Sequence, residues 1–142
     1  LSFFPTRKEQ EQIADLINSK LMQHEFADVE FGSLLLDWSD FVTECEYVFD
    51  GDLWEYRQGL KIRDMIATVI ELLDEPLAEK IRVIISEPDA IFRKNLVDNA
   101  KRLDTPDNPL ISQECFWYQG MVRNQGSELR RDLIRHGWFK RP

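Results

Sequence analysis

The cleanest hydrophobic pattern in the chain is Ile62, Met65, Ile66, Val69, Ile70 and Leu73, at i, i+3, i+4, i+7, i+8 and i+11. This period lays one apolar stripe along a helix and predicts a core helix from about Leu53 to Leu73. Asp52, with Glu55 three residues on, has the form of a capping box at its start. Gly59 inside it costs about 1 kcal/mol relative to alanine, which a close helix crossing at that point explains. Upstream, Leu34, Trp38, Phe41, Val42, Cys45, Val48 and Phe49 fall on one face of a second helix, with Gly51 placed as its stop. Asp37, Asp40 and Glu44 run along a neighbouring face, and Tyr47 extends that row.

The rest of the chain gives shorter signals. Thr6 and Glu9 are spaced as a capping box, and Ile13, Leu16, Ile17 and Leu21 predict a helix from about Arg7 to Gln23. Phe26 to Phe31 alternates apolar and acidic residues, as a short strand or an extended connection does, before Gly32. Pro76 suits a first helical turn and would bury Leu77, Ile81, Ile84 and Ile85, although Ile81–Ile85 also reads as strand. Pro88 and Asp89 are expected to begin another helix carrying Phe92, Leu96, Ala100 and Leu103. Residues 104–109 (DTPDNP) have loop chemistry. Cys115–Tyr118 reads as a buried strand or extended segment ending at Gly120. Ser127 is expected to cap a last helix bearing Leu129, Leu133 and Ile134, stopped by Gly137. The sum is a mainly α, single-domain helical bundle of five to six helices over residues 1–142. Whether 26–31 and 115–122 pair as a small two-stranded β element is left open.

A chain of 142 residues with 43% apolar and 31% charged residues is long enough for a core and too apolar for disorder. No run approaches the ~20 apolar residues that span a bilayer. The start, LSFFPTRKEQ, has neither a basic nor a long apolar region, so no secretory signal is expected; without an initiating Met, a removed leader stays open. Cys45 and Cys115 fit two buried thiols of a cytoplasmic protein better than one disulfide.

Charge changes the picture most. The net charge is −8, yet residues 25–56 alone carry ten acids and no lysine or arginine. The flanking parts sum to zero before it, −2 over 57–119 and +4 over 120–142. An acidic balance disfavours direct nucleic-acid binding, which needs clustered basic residues. Over this stretch no i,i+4 partner relieves the repulsion, and aromatic residues lie among the acids. Such a surface suits a basic protein partner, because interfaces favour aromatic anchors and complementary charge speeds association. The plainer reading, a solvated helix face, carries equal weight.

No catalytic residue or cofactor is indicated. His24 and His136 have no ligand neighbours at zinc spacing, and His136 suits the last turn of a helix. Asp50, Asp52 and Glu55 lack the remaining ligands of a calcium loop. Glu44 and Glu46, two apart on a helix, do not face each other for acid–base work. No P-loop, G-x-S-x-G or GxGxxG occurs.

The run Asp37–Arg63, DWSDFVTECEYVFDGDLWEYRQGLKIR, about a fifth of the chain, resembles in character the bacterial immunity proteins of contact-dependent inhibition and colicin-like systems. These are small acidic proteins, diverse in fold, that neutralise basic toxins. The resemblance implies a non-enzymatic, cytoplasmic inhibitor of a basic toxin, a nuclease above all, with no membrane partner. Its expected contact residues are Asp37, Asp40, Glu44, Tyr47, Asp50, Asp52, Trp54 and Glu55, the carboxylates accepting hydrogen bonds from toxin Lys and Arg. The +4 tail departs from a uniformly acidic surface. The alternative is a helical structural or regulatory subunit whose acids are neutralised by Arg123–Arg141, within the fold or across a homodimer.

Overall fold

The structure, a computed structural model, describes residues 5–20, 31–97, 115–118 and 120–137. It contains helices α1 (Arg7–Lys20), α2 (Phe31–Tyr47), α3 (Leu53–Leu72), α4 (Glu75–Lys94) and α5 (Ser127–Arg135). Two short strands, β1 (Leu96–Val97) and β2 (Met121–Val122), pair antiparallel with Leu96 opposite Val122. A 3-10 turn covers Phe116–Tyr118. The fold is thus mainly α, with a small two-stranded sheet.

α1 begins with the expected reciprocal cap. Thr6 N–H donates to Glu9 Oε1 at 2.8 Å, and Glu9 N–H donates to Thr6 Oγ1 at 3.2 Å. Glu9 also pairs with Lys80 of α4 at 2.6 Å, tying the first helix to the fourth. Residues 21–23 of the expected helix, and the alternating stretch up to Glu30, lie outside the described residues, as do His24 and 104–109.

α2, α3 and α4 form the centre. Trp38, Phe41, Phe49, Tyr56 and Phe92 make one aromatic cluster, with ring centroids 5.1 Å apart for Trp38–Phe92 and 5.5 Å for Phe49–Tyr56. α2 and α3 approach closely at Gly59, as its place in a helix suggested. A Cβ there would lie 2.3 Å from Phe41 Cε2. The stripe of α3 holds its core position, with Ile66 and Val69 fully buried. Asp52 caps it through Glu55 N–H at 2.8 Å, while Glu55 returns the bond to Asp52 N–H at 3.4 Å.

Several expectations fail where contacts distant in the chain decide the outcome. α2 stops at Tyr47 and not at Gly51, because Phe49 leaves the helix to bridge Gln125. Val48, assigned to the buried face, is therefore 46% exposed. α4 runs unbroken from Glu75 through Pro88, so no separate helix starts there. A mid-helix proline sacrifices a hydrogen bond. Ile81 and Ile85 before it and Phe92 after it are all buried, and that packing carries the helix through. Leu96 belongs to a strand and not to a helix, and Phe116–Tyr118 is a 3-10 turn and not a strand. The cap of α5 is Gly126 rather than Ser127. Its N–H donates to Phe49 O at 2.8 Å, and a Cβ would approach that oxygen to 2.6 Å. Gly137, at φ 70°, does end α5 as expected.

A polar network crosses the core. Arg63, 6% exposed, makes a two-pronged bond to Asp89, with Nε and Nη2 each 2.9 Å from a carboxylate oxygen. Trp38 Nε1–H donates to the same carboxylate at 3.0 Å. The Arg63 guanidinium lies 4.4 Å from the Trp117 ring centre, and Trp117 Nε1–H donates to Asp64 at 2.7 Å. Tyr118 also donates its hydroxyl proton to Asp64. These bonds fix α2, α3, α4 and the 3-10 turn in one arrangement. Both cysteines are buried free thiols, and burial pushes the Cys45 thiol far up.

Candidate functional site

The acidic row is on the outside of α2. Successive residues turn about 100° around a helix. Phe31, Leu34, Leu35, Trp38, Phe41, Val42 and Cys45 take the inner side, all buried. Asp37, Asp40 and Glu44 are left exposed on the other, spanning roughly 10 Å at 1.5 Å per residue. Tyr47 ends the row at 75% exposure. The α2–α3 connection then presents Asp50, and the first turn of α3 presents Trp54 at 67% and Glu55. Asp52 is half-buried. The eight expected contact residues thus fall into two neighbouring groups, the row on α2 and the end of the helical hairpin.

They are not equal. The carboxylates of Asp52 and Glu55 are spent on the α3 cap, and lie at a helix N-terminus where negative charge is favourable. Glu44 and Glu46 occupy the last turn of α2, which has no basic residue. There the helix dipole is negative and the acids add to it. Asp37, Asp40 and Glu44 take part in no ion pair among the described residues, and neither do Arg131 and Arg135. The expected neutralisation of the acidic helix by these C-terminal arginines within one chain is therefore absent for those five residues.

The support beneath this end comes from residues far along the chain. Asn124 Nδ2–H donates to Glu46 O at 2.9 Å and satisfies an end carbonyl of α2. Phe49 N–H donates to Asn124 O at 2.9 Å. Asp132 of α5 accepts from Leu53 N–H at 3.1 Å and so caps α3 from another helix. None of Asn124, Gly126 or Asp132 was singled out in the sequence, because nothing local marks a long-range clamp. Leu36, 51% exposed beside the row, is a further residue outside the expected contact set. Its signal was present: in the run Leu34-Leu35-Leu36 helical turning puts the third leucine opposite the buried face.

Among the described residues no group of three or more His, Cys, Asp or Glu side chains is gathered as metal ligands, and no helix is long and apolar enough to cross a membrane. No family model matches the chain, and neither a curated protein nor a solved structure matches it.

Proposed function

We propose that this protein is an immunity-type inhibitor that binds a basic toxin, with a nuclease the foremost class, through the outer face of α2 and the end of the α2–α3 hairpin, and that it works in the cytoplasm without catalysis. The observation that carries this reading is the row Asp37, Asp40, Glu44: exposed, in no ion pair among the described residues, and ending with Glu44 in the last turn of α2, the negative end of that helix. Asp40 and Glu44, at i,i+4, repel one another at a cost of a few tenths of a kcal/mol. A partner bringing Lys and Arg supplies the missing counter-charges and gains in association rate. Tyr47 and Trp54 add amphipathic contact area at the same end. The clamp by Asn124 and Asp132 holds the face in one geometry before binding, which lowers the ordering cost.

The test is co-expression with the product of the adjacent reading frame. The wild-type chain should relieve growth arrest and co-purify with a basic protein, and salt should release it. The double variant Asp40→Lys/Glu44→Lys should bind at least tenfold more weakly, about 1.4 kcal/mol. Unchanged affinity in that variant removes α2 from the interface. Absence of any basic partner removes the inhibitor reading itself.

A further inference from the structure

We infer that the outer face of α2 also receives helix α5 of a second copy of this chain. On α2, Leu36, Asp40, Thr43, Glu44 and Tyr47 lie within about 100° of arc on the solvent side. On α5, Leu129 and Leu133 are buried, so Arg131, Ile134 and Arg135 share the outer side. Asp40 and Glu44 are four residues apart, and so are Arg131 and Arg135. Each pair is therefore spaced roughly 6 Å along its helix axis. Two such helices laid side by side bring both arginines onto both carboxylates in one register.

Exposed apolar side chains flank both charge pairs. Ile134 is 60% exposed between the two arginines, and Leu36 at 51% and Tyr47 at 75% lie next to the two acids. Glu128 is the acid on the outer side of α5; Asp132, the other acid of this helix, is turned to Leu53. The outer side of α5 is thus net positive against a wholly acidic row. Each chain has one copy of both faces, so the contact is either returned within a pair or repeated from chain to chain, and the mass found in solution tells the two apart. Nothing in this contact depends on a toxin, although a toxin and a second copy would compete for the same face.

The test uses the chain alone, by sedimentation equilibrium at about 50 mM and about 500 mM salt, since screening of exposed charges separates the two conditions. The expected result is reversible association at low salt that is lost at high salt. Arg131→Glu/Arg135→Glu and Asp40→Lys/Glu44→Lys should each weaken it at least tenfold, and the four substitutions together should restore it. All four substituted positions are exposed, and circular dichroism checks that each variant folds. A wild-type chain that stays monomeric at about 200 μM in low salt overturns the inference, as does association indifferent to the α5 pair or a fourfold variant that is not restored. Failure here is distinct from failure of the inhibitor reading: toxin capture needs Asp40 and Glu44 but tolerates Arg131→Glu/Arg135→Glu.

Discussion

Glu44→Lys should make this protein more stable. The side chain is exposed and in no ion pair among the described residues, so the change breaks nothing described. Asp40 lies one turn before it, and a like-charge i,i+4 pair costs a few tenths of a kcal/mol. Reversal converts that repulsion into a comparable attraction. Glu44 is also in the last turn of α2, where an anion opposes the dipole and a cation favours it, each by roughly 0.3–1 kcal/mol at low ionic strength. The gross gain is about 1–2 kcal/mol, and solvent screening at an exposed site reduces it to about 1 kcal/mol. For a domain near this size that corresponds to about 3 °C in Tm. The assay is thermal unfolding followed by circular dichroism at about 20 mM and about 1 M salt, with Glu44→Gln as an intermediate. The gain should be largest at low salt, halved for the glutamine and nearly gone at high salt. A fall in Tm, or a gain that ignores salt, would refute the idea that the row is an electrostatic load carried for a partner.

Gly59→Ala should destabilise despite alanine's better helix propensity, by about 2 kcal/mol in urea unfolding, because the added methyl meets the Phe41 ring inside a packed aromatic cluster. Asp89→Ala should cost about 3–5 kcal/mol, since it strands the buried Arg63 charge; the pair Arg63→Met/Asp89→Leu should recover much of that loss. Glu9 is held below the ordinary carboxylate value of 4.5, chiefly by its bond from Lys80. Its contribution is therefore complete above pH 4.5 and is lost as pH falls below that through the depressed value. Lys80→Met should remove most of this acid sensitivity, seen as a flatter stability profile below pH 4.5, and an unchanged profile would assign the acid loss elsewhere.

The parts of the fold legible in the sequence were those fixed within one or two turns. The Thr6–Glu9 and Asp52–Glu55 caps, the stripe of α3 and the stop at Gly137 each depend on neighbours three or four residues away. What stayed hidden was decided across the chain. Pro88 reads locally as a helix start, yet it lies inside α4, whose faces are held by Phe92 in the core and Asp89 on Arg63. Leu96 continues a helical spacing but pairs with Val122. Phe49 fits the stripe of α2 but is drawn away by Asn124 and Gly126. The turning of α2 separated the acidic row from the apolar face, but its exposure depended on what packs against that side of the helix, which no local pattern fixes. The commitment of Asp52 and Glu55 to capping could be inferred as well, and it weakens their claim as free contact residues.

The clamp on the hairpin has a consequence for the order of synthesis. Glu46, Phe49 and Leu53 complete their bonds only with Asn124, Gly126 and Asp132, more than seventy residues later. A ribosome adds roughly 5–20 residues per second, so several seconds separate translation of the acidic helix from translation of the residues that brace it. During that interval the nascent chain carries the charges of the face without its finished shape. The finished geometry of the face then arrives in a single late step, when α5 clears the exit tunnel, and a chain truncated before residue 124 would display the acids yet lack their support.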